Sequence, residues 1–139
     1  MDKDVIRNKL TSLIRCMKRI ENRKPATPEV LAGDLDSQDI IVLNLERAVQ
    51  LCVDIGLHIL AANRAEPPAT MSEVFAGLNE LDLIPGETAE NLSKAVGFRN
   101  IAVHQYRSID WEIVFSILKE NMADFTEFTK SIFDILNKP

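Results

Sequence analysis

The sequence predicts an all-helical fold, an antiparallel bundle of four long helices and one short one, and three observations lead there. Apolar residues recur at helical spacing, three or four apart, through successive stretches of the chain. No stretch alternates apolar and polar residues in the way a half-buried strand requires. The breaks between stretches hold Pro, Gly and short polar side chains, the residues that end and begin helices. Connections this short favour antiparallel neighbours.

The first helix is expected from Asp4 to Asn22, with Ile6, Leu10, Leu13, Met17 and Ile20 on one stripe, and Pro25 and Pro28 stop it. After the Gly33-Asp34 turn, Asp36 or Ser37 can cap a long second helix that reaches about Asn63. It carries Ile40, Ile41, Leu43, Leu45, Val49, Cys52, Val53, Leu57 and Leu60, so broad an apolar share that it predicts burial on more than one side. Pro67-Pro68 end it, and Thr70-x-x-Glu73 is a capping-box pattern that opens a short helix with Val74, Phe75, Leu78 and Leu81, closed at Pro85-Gly86. A fourth helix is expected from near Thr88, through Leu92, Ala95 and Val96, with Gly97 a kink or a point of close backbone approach. Asp110 can cap the last, whose Val114, Leu118, Met122, Phe125, Phe128, Ile132, Phe133 and Leu136 recur at helical spacing.

At 139 residues the chain suits one domain over 1–139, and 46% apolar with 27% charged residues is a globular composition. No run approaches a membrane span; the longest candidate, Val49 to Ala62, is broken by Asp54 and His58. Charges of both signs in Met1-Asp2-Lys3-Asp4 do not suit a signal peptide, so a cytoplasmic protein is expected. Cys16 and Cys52 sit among aliphatic residues and read as core thiols, and no Cys/His cluster predicts a metal. A net charge of −5 argues against a broad electrostatic grip on nucleic acid, so any RNA contacts must be local.

General acid/base work near neutral pH falls first on the two histidines, His58 and His104. His104 stands five residues after Arg99 and two before Tyr106, the single tyrosine. An arginine fork suits phosphate oxygens, and an imidazole can take the proton of a ribose 2′-hydroxyl. The bland alternative pairs Arg99 with Asp110 or Glu112 and leaves His104 and Tyr106 as helix-end caps. On a straight helix positions 99 and 104 point roughly 140° apart, so a shared site needs a helix end or kink, a long reach by Arg99, or two protomers. Arg47, Asp54 and His58 form a polar line on the long helix that can border a cleft, and Asp54 with His58 is equally readable as a buried structural pair.

Arg99-Asn100-Ile101-Ala102-Val103-His104-Gln105-Tyr106 resembles the Arg, four residues, His, one residue, Tyr signature of HepT-type toxins in the HEPN superfamily. Asp39, Glu46-Arg47, Asp54-Ile55-x-x-His58-Ile59, Pro67-Pro68 and Phe75-x-x-Leu78 fall where that family has similar residues, so the likeness spans nearly the whole chain. The resemblance implies an HEPN-like dimer and a metal-independent endoribonuclease without cofactor. Arg99 and His104 would be its catalytic pair and Asn100 their supporting polar residue. Tyr106 would accept AMP from a minimal nucleotidyltransferase of the MntA type, the antitoxin. RNA is then the expected substrate, with no DNA or membrane partner. The alternative within the same resemblance is a non-catalytic HEPN module that docks the nucleotidyltransferase and presents substrate or nucleotide to it. A third reading is a plain bundle without a site.

Overall fold

The computed structural model describes residues 1–138. Its elements are α1 (Lys3–Arg23), α2 (Pro28–Ala32), α3 (Leu35–Ala62), α4 (Met71–Glu80), α5 (Gly86–His104), a 3-10 turn (Tyr106–Ser108), α6 (Trp111–Ser116), a π-helical turn (Ile117–Asn121) and α7 (Met122–Leu136). No strand occurs among the described residues. The expected rods are present: α1, α3, α5 and the α6–α7 rod, with α4 as the short helix.

The cores of these rods follow the apolar periodicity. Ile6, Leu10, Leu13 and Ile20 of α1 are buried against α3, the most extensive helix contact in the molecule. α3 is buried on several sides, meeting α1, α2, α4 and α5. Its Gly56 lets α4 come close: a Cβ there would collide with Val74 Cγ1 and meet Leu78 Cδ1 at 3.2 Å. Phe75 and Phe128 meet edge to face at 6.2 Å, joining α4 to α7. Cys16 and Cys52 are free and buried, and burial pushes both thiols up from their ordinary range.

Several boundaries differ from expectation. Pro28 stops nothing; it is the first residue of α2, where a missing N–H costs nothing, and Thr27 Oγ1 accepts from Val30 N at 3.2 Å. The cap of α3 is Asp34, ahead of Asp36 and Ser37: its carboxylate accepts from Ser37 N at 3.2 Å and from Ser37 Oγ at 2.7 Å. These hydrogen bonds, the hydroxyl's first, hold the Asp34 carboxyl below its ordinary pKa. Gln38 Nε2 then donates to Leu31 O and Ala32 O, clamping α2 onto α3.

α4 ends before Pro85-Gly86 because Asp82 turns left-handed (φ 57°) and Leu83 N reaches back to Leu78 O, a Schellman-type stop that leaves Leu81 exposed. α5 starts at Gly86, with Pro85 as cap, rather than near Thr88. α5 runs through Gly97 as continuous helix, and Gly97 meets no other segment, since a Cβ there would have nothing within 4 Å. The last helix is broken into α6 and α7 by the π turn. Leu43 and Leu57 of α3, and Phe133 of α7, face outward although the apolar pattern counted them with the core.

Candidate functional site

The motif occupies the end of α5 and the turn after it. α5 runs as unbroken helix to His104, so Arg99 and His104 leave one rod at angles roughly 140° apart. Among the described residues no hydrogen bond or ion pair joins them. Arg99 is half-buried; Nη1 donates to Asn100 Oδ1 at 3.2 Å, while Nε is buried without a partner. The bland pairing with Asp110 or Glu112 does not form. Asp110 instead caps α6, accepting from Glu112 N at 2.9 Å. A guanidinium fixed by an amide and not neutralised by a carboxylate keeps its charge for another anion.

His104 is the last residue of α5 and is exposed. Gln105 leaves helical geometry (φ −141°, ψ 51°), and the 3-10 turn that follows carries Tyr106 away from the helix line. There the Tyr106 hydroxyl donates to Asp39 Oδ1 at 2.5 Å, and its ring meets Trp111 edge to face at 6.4 Å. Partial desolvation and then the Asp39 hydrogen bond push the phenol pKa up to about 12. The hydroxyl is thus neutral and directed, at a residue that remains 41% exposed. Asp39, which periodicity alone does not single out, is the residue that positions Tyr106.

Around the motif the surface is apolar. Ile101, Val103 and Ile113 are 43%, 40% and 55% exposed, and a groove of about 330 Å³ runs between α5 and the π turn, lined by Gly97, Phe98, Ile101, Ile113, Ile117 and Asn121.

The polar line on α3 divides between two surface features, with Asp54 at the border of both. Asp54 accepts from Gln50 Nε2 at 2.9 Å and stands 4.0 Å from Lys9 Nζ. His58 is exposed and does not bond to Asp54, which removes the buried-pair reading; the two share only a shallow surface hollow with Lys9 and Leu57. Arg47 and Asp54 both line a groove between α1 and α3, with His58 outside it and Arg15 and Arg19 on its α1 side. These last two arginines carry no motif, and their sequence signal is charge: eight of the sixteen Lys and Arg fall in the first 24 residues, beside three acidic ones. Among the described residues no group of three His, Cys, Asp or Glu is placed to hold a metal ion, and no helix is long and apolar enough to cross a membrane.

Residues 13–132 match the family model described as ribonuclease HepT-like. The chain is 34% identical over 125 residues to the mRNA nuclease HepT of Shewanella oneidensis, covering 90% of this chain and 93% of the relative. It is 23% identical over 128 residues to the tRNA nuclease HepT of Aphanizomenon flos-aquae, covering 92% and 87%. Among solved structures, the tri-AMPylated Shewanella oneidensis HEPN toxin in complex with MNT antitoxin superposes with a TM-score of 0.87 at 34% identity, over 96% of this chain and 99% of that one.

Proposed function

The chain belongs to the HepT-like ribonuclease family, and from that membership we propose that it is a toxin ribonuclease that cuts RNA without a metal, through Arg99 and His104. The observation that carries the reading is the Arg99 guanidinium, held by Asn100, paired with no carboxylate, and followed at the end of the same helix by an exposed imidazole.

A single rod sends these two groups in different directions, so the site is proposed to form between two protomers, each contributing one motif. The exposed Ile101, Val103 and Ile113 beside the motif support such a pairing, because burying them would remove apolar surface from water. One His104 takes the 2′-hydroxyl proton, and the oxygen attacks the adjacent phosphorus. The partner's His104 gives a proton to the departing 5′-oxygen. The arginines stabilise charge on the non-bridging oxygens. The products are a 2′,3′-cyclic phosphate and a 5′-hydroxyl.

Tyr106 is proposed as the acceptor of AMP from a nucleotidyltransferase antitoxin. Its exposed ring and directed hydroxyl support this, as does the AMPylated state of the related toxin. The modification adds a bulky anionic group beside the end of α5, where RNA phosphates must approach.

The test is expression of the wild-type chain beside Arg99→Ala and His104→Ala, followed by RNA cleavage with a chelator present. Cleavage by the wild type alone, indifferent to chelation, is expected. Toxicity that survives in both variants would turn the assignment to a non-catalytic docking module, and loss of cleavage on chelation would end the metal-free mechanism. Tyr106→Phe is expected to cut RNA yet escape neutralisation by the nucleotidyltransferase.

A further inference from the structure

The groove between α1 and α3 has no part in the chemistry above, and its composition is unlike that of the rest of the molecule. It has a volume of about 380 Å³ and is walled by Arg15 and Arg19, one turn apart on α1, and by Arg47 on α3. None of the three makes a hydrogen bond or ion pair among the described residues. The Cys16 thiol at the groove floor, raised by burial, is pulled back by Arg47, Arg19 and Arg15, so three positive charges bear on one point. Asp54, the groove's acid, is already engaged by Gln50 and Lys9. Ser12, Asn44 and Gln50 add hydrogen-bonding groups to the walls.

We propose that this groove is a subsite for the sugar–phosphate backbone of single-stranded RNA, with Arg15, Arg19 and Arg47 each contacting a phosphate outside the cleavage site. The choice of RNA rests on the ribonuclease reading. Its placement rests on α3: Asp39, Arg47, Gln50 and Asp54 lie within about 80° of one another around that helix. Arg47 is eight residues from Asp39, roughly 12 Å along the axis and about 80° around it, so the arginine groove lies beside the position that receives Tyr106. A strand of a few nucleotides spans that distance. The subsite also answers the charge problem, because a protein of net charge −5 needs a local cationic track to hold a polyanion.

The experiment measures binding of a mixed-sequence single-stranded oligoribonucleotide to the His104→Ala protein, which leaves the RNA intact, across a salt series. The same background carrying Arg15→Gln, Arg19→Gln and Arg47→Gln is expected to bind roughly tenfold or more weakly at low salt, with the slope of log affinity against log salt reduced by about 2 for three lost phosphate contacts. A charge-matched control, Arg64→Gln, Lys119→Gln and Lys130→Gln, is expected to leave the slope nearly unchanged. Circular dichroism and thermal melting confirm that each variant is folded.

Equal affinity and slope in the groove variant would overturn the proposal, as would an equal loss in the control. Intact RNA binding with a lost complex to the nucleotidyltransferase would also overturn it, by making the groove a protein-docking surface. A wild-type chain that binds RNA through the groove yet cuts none would sink the ribonuclease reading and leave the groove assignment standing.

Discussion

The middle of α3 and the last turns of α5 are both regular helix and each contains a glycine, yet the molecule uses them in opposite ways. Around Gly56 the inward side is filled: Ile55 and Ile59 are fully buried, and α4 lies so close that a single added carbon collides with Val74. Around Gly97 there is open space, and the residues that follow, Arg99 to Tyr106, are largely exposed or lack intramolecular partners. Close packing holds this stretch of α3 in one arrangement, and its buried side chains are apolar. The end of α5 keeps polar groups unneutralised at the surface, which contributes little to stability and is what a binding or catalytic site requires. Changes in the packed interior of α3 around Gly56 should therefore act on stability, and changes at the end of α5 on activity.

The largest expected effect is at the motif. Arg99→Ala and His104→Ala should each lower RNA cleavage by about 10²–10⁴-fold while unfolding free energies change by less than about 0.5 kcal/mol. A parallel loss of stability, read by denaturant titration, would erase the contrast between the two regions. Next in size is Gly56→Ala, which should destabilise the protein by about 1–3 kcal/mol through overpacking against Val74 and Leu78, with residual activity following the folded fraction.

A third test sharpens the contrast at Tyr106. As this is the single tyrosine, tyrosinate absorbance reports it alone, and the titration midpoint should lie near 12 rather than the ordinary 10.0. The folded value is raised, so stability contributed by the contact is complete below about pH 10 and is lost as pH rises through about 12. Asp39→Asn should move the midpoint back toward 10; an unmoved midpoint would remove Asp39 as the positioning residue. The smallest effect is expected from Gly97→Ala, which should raise stability by about 0.5–1 kcal/mol because the helix gains a better former and meets no obstacle. A drop in cleavage by the same variant would show that a second protomer approaches α5 there.

Much of the fold was legible in advance because the signals are local. The buried stripe of α1 and the Thr70 and Asp110 caps depend on residues within a turn or two of one another. The misread boundaries share a cause. Pro28 is a stop inside a helix and a start at its first position, and the signal for a start is its neighbour Thr27, which caps α2. Similarly, Asp82 halts α4 by a left-handed turn that a glycine would have announced. Of the proposed site, the eight-residue motif could be read directly. Asp39 could not be linked to Tyr106, nor Arg15 and Arg19 to Arg47, since periodicity says which face a residue occupies but not which face of another helix it meets.

The sequence by itself determined the helical class, the main rods, the core stripes and the chemical types gathered at the end of α5, because backbone period and capping are set within a few residues. Tertiary structure decided that Tyr106 meets Asp39 across 67 positions of chain, that His58 stands apart from Asp54, and that three arginines from two helices share one groove. Those outcomes follow from how burial of the apolar stripes orients the rods against one another, a condition on the packed whole that no short segment contains.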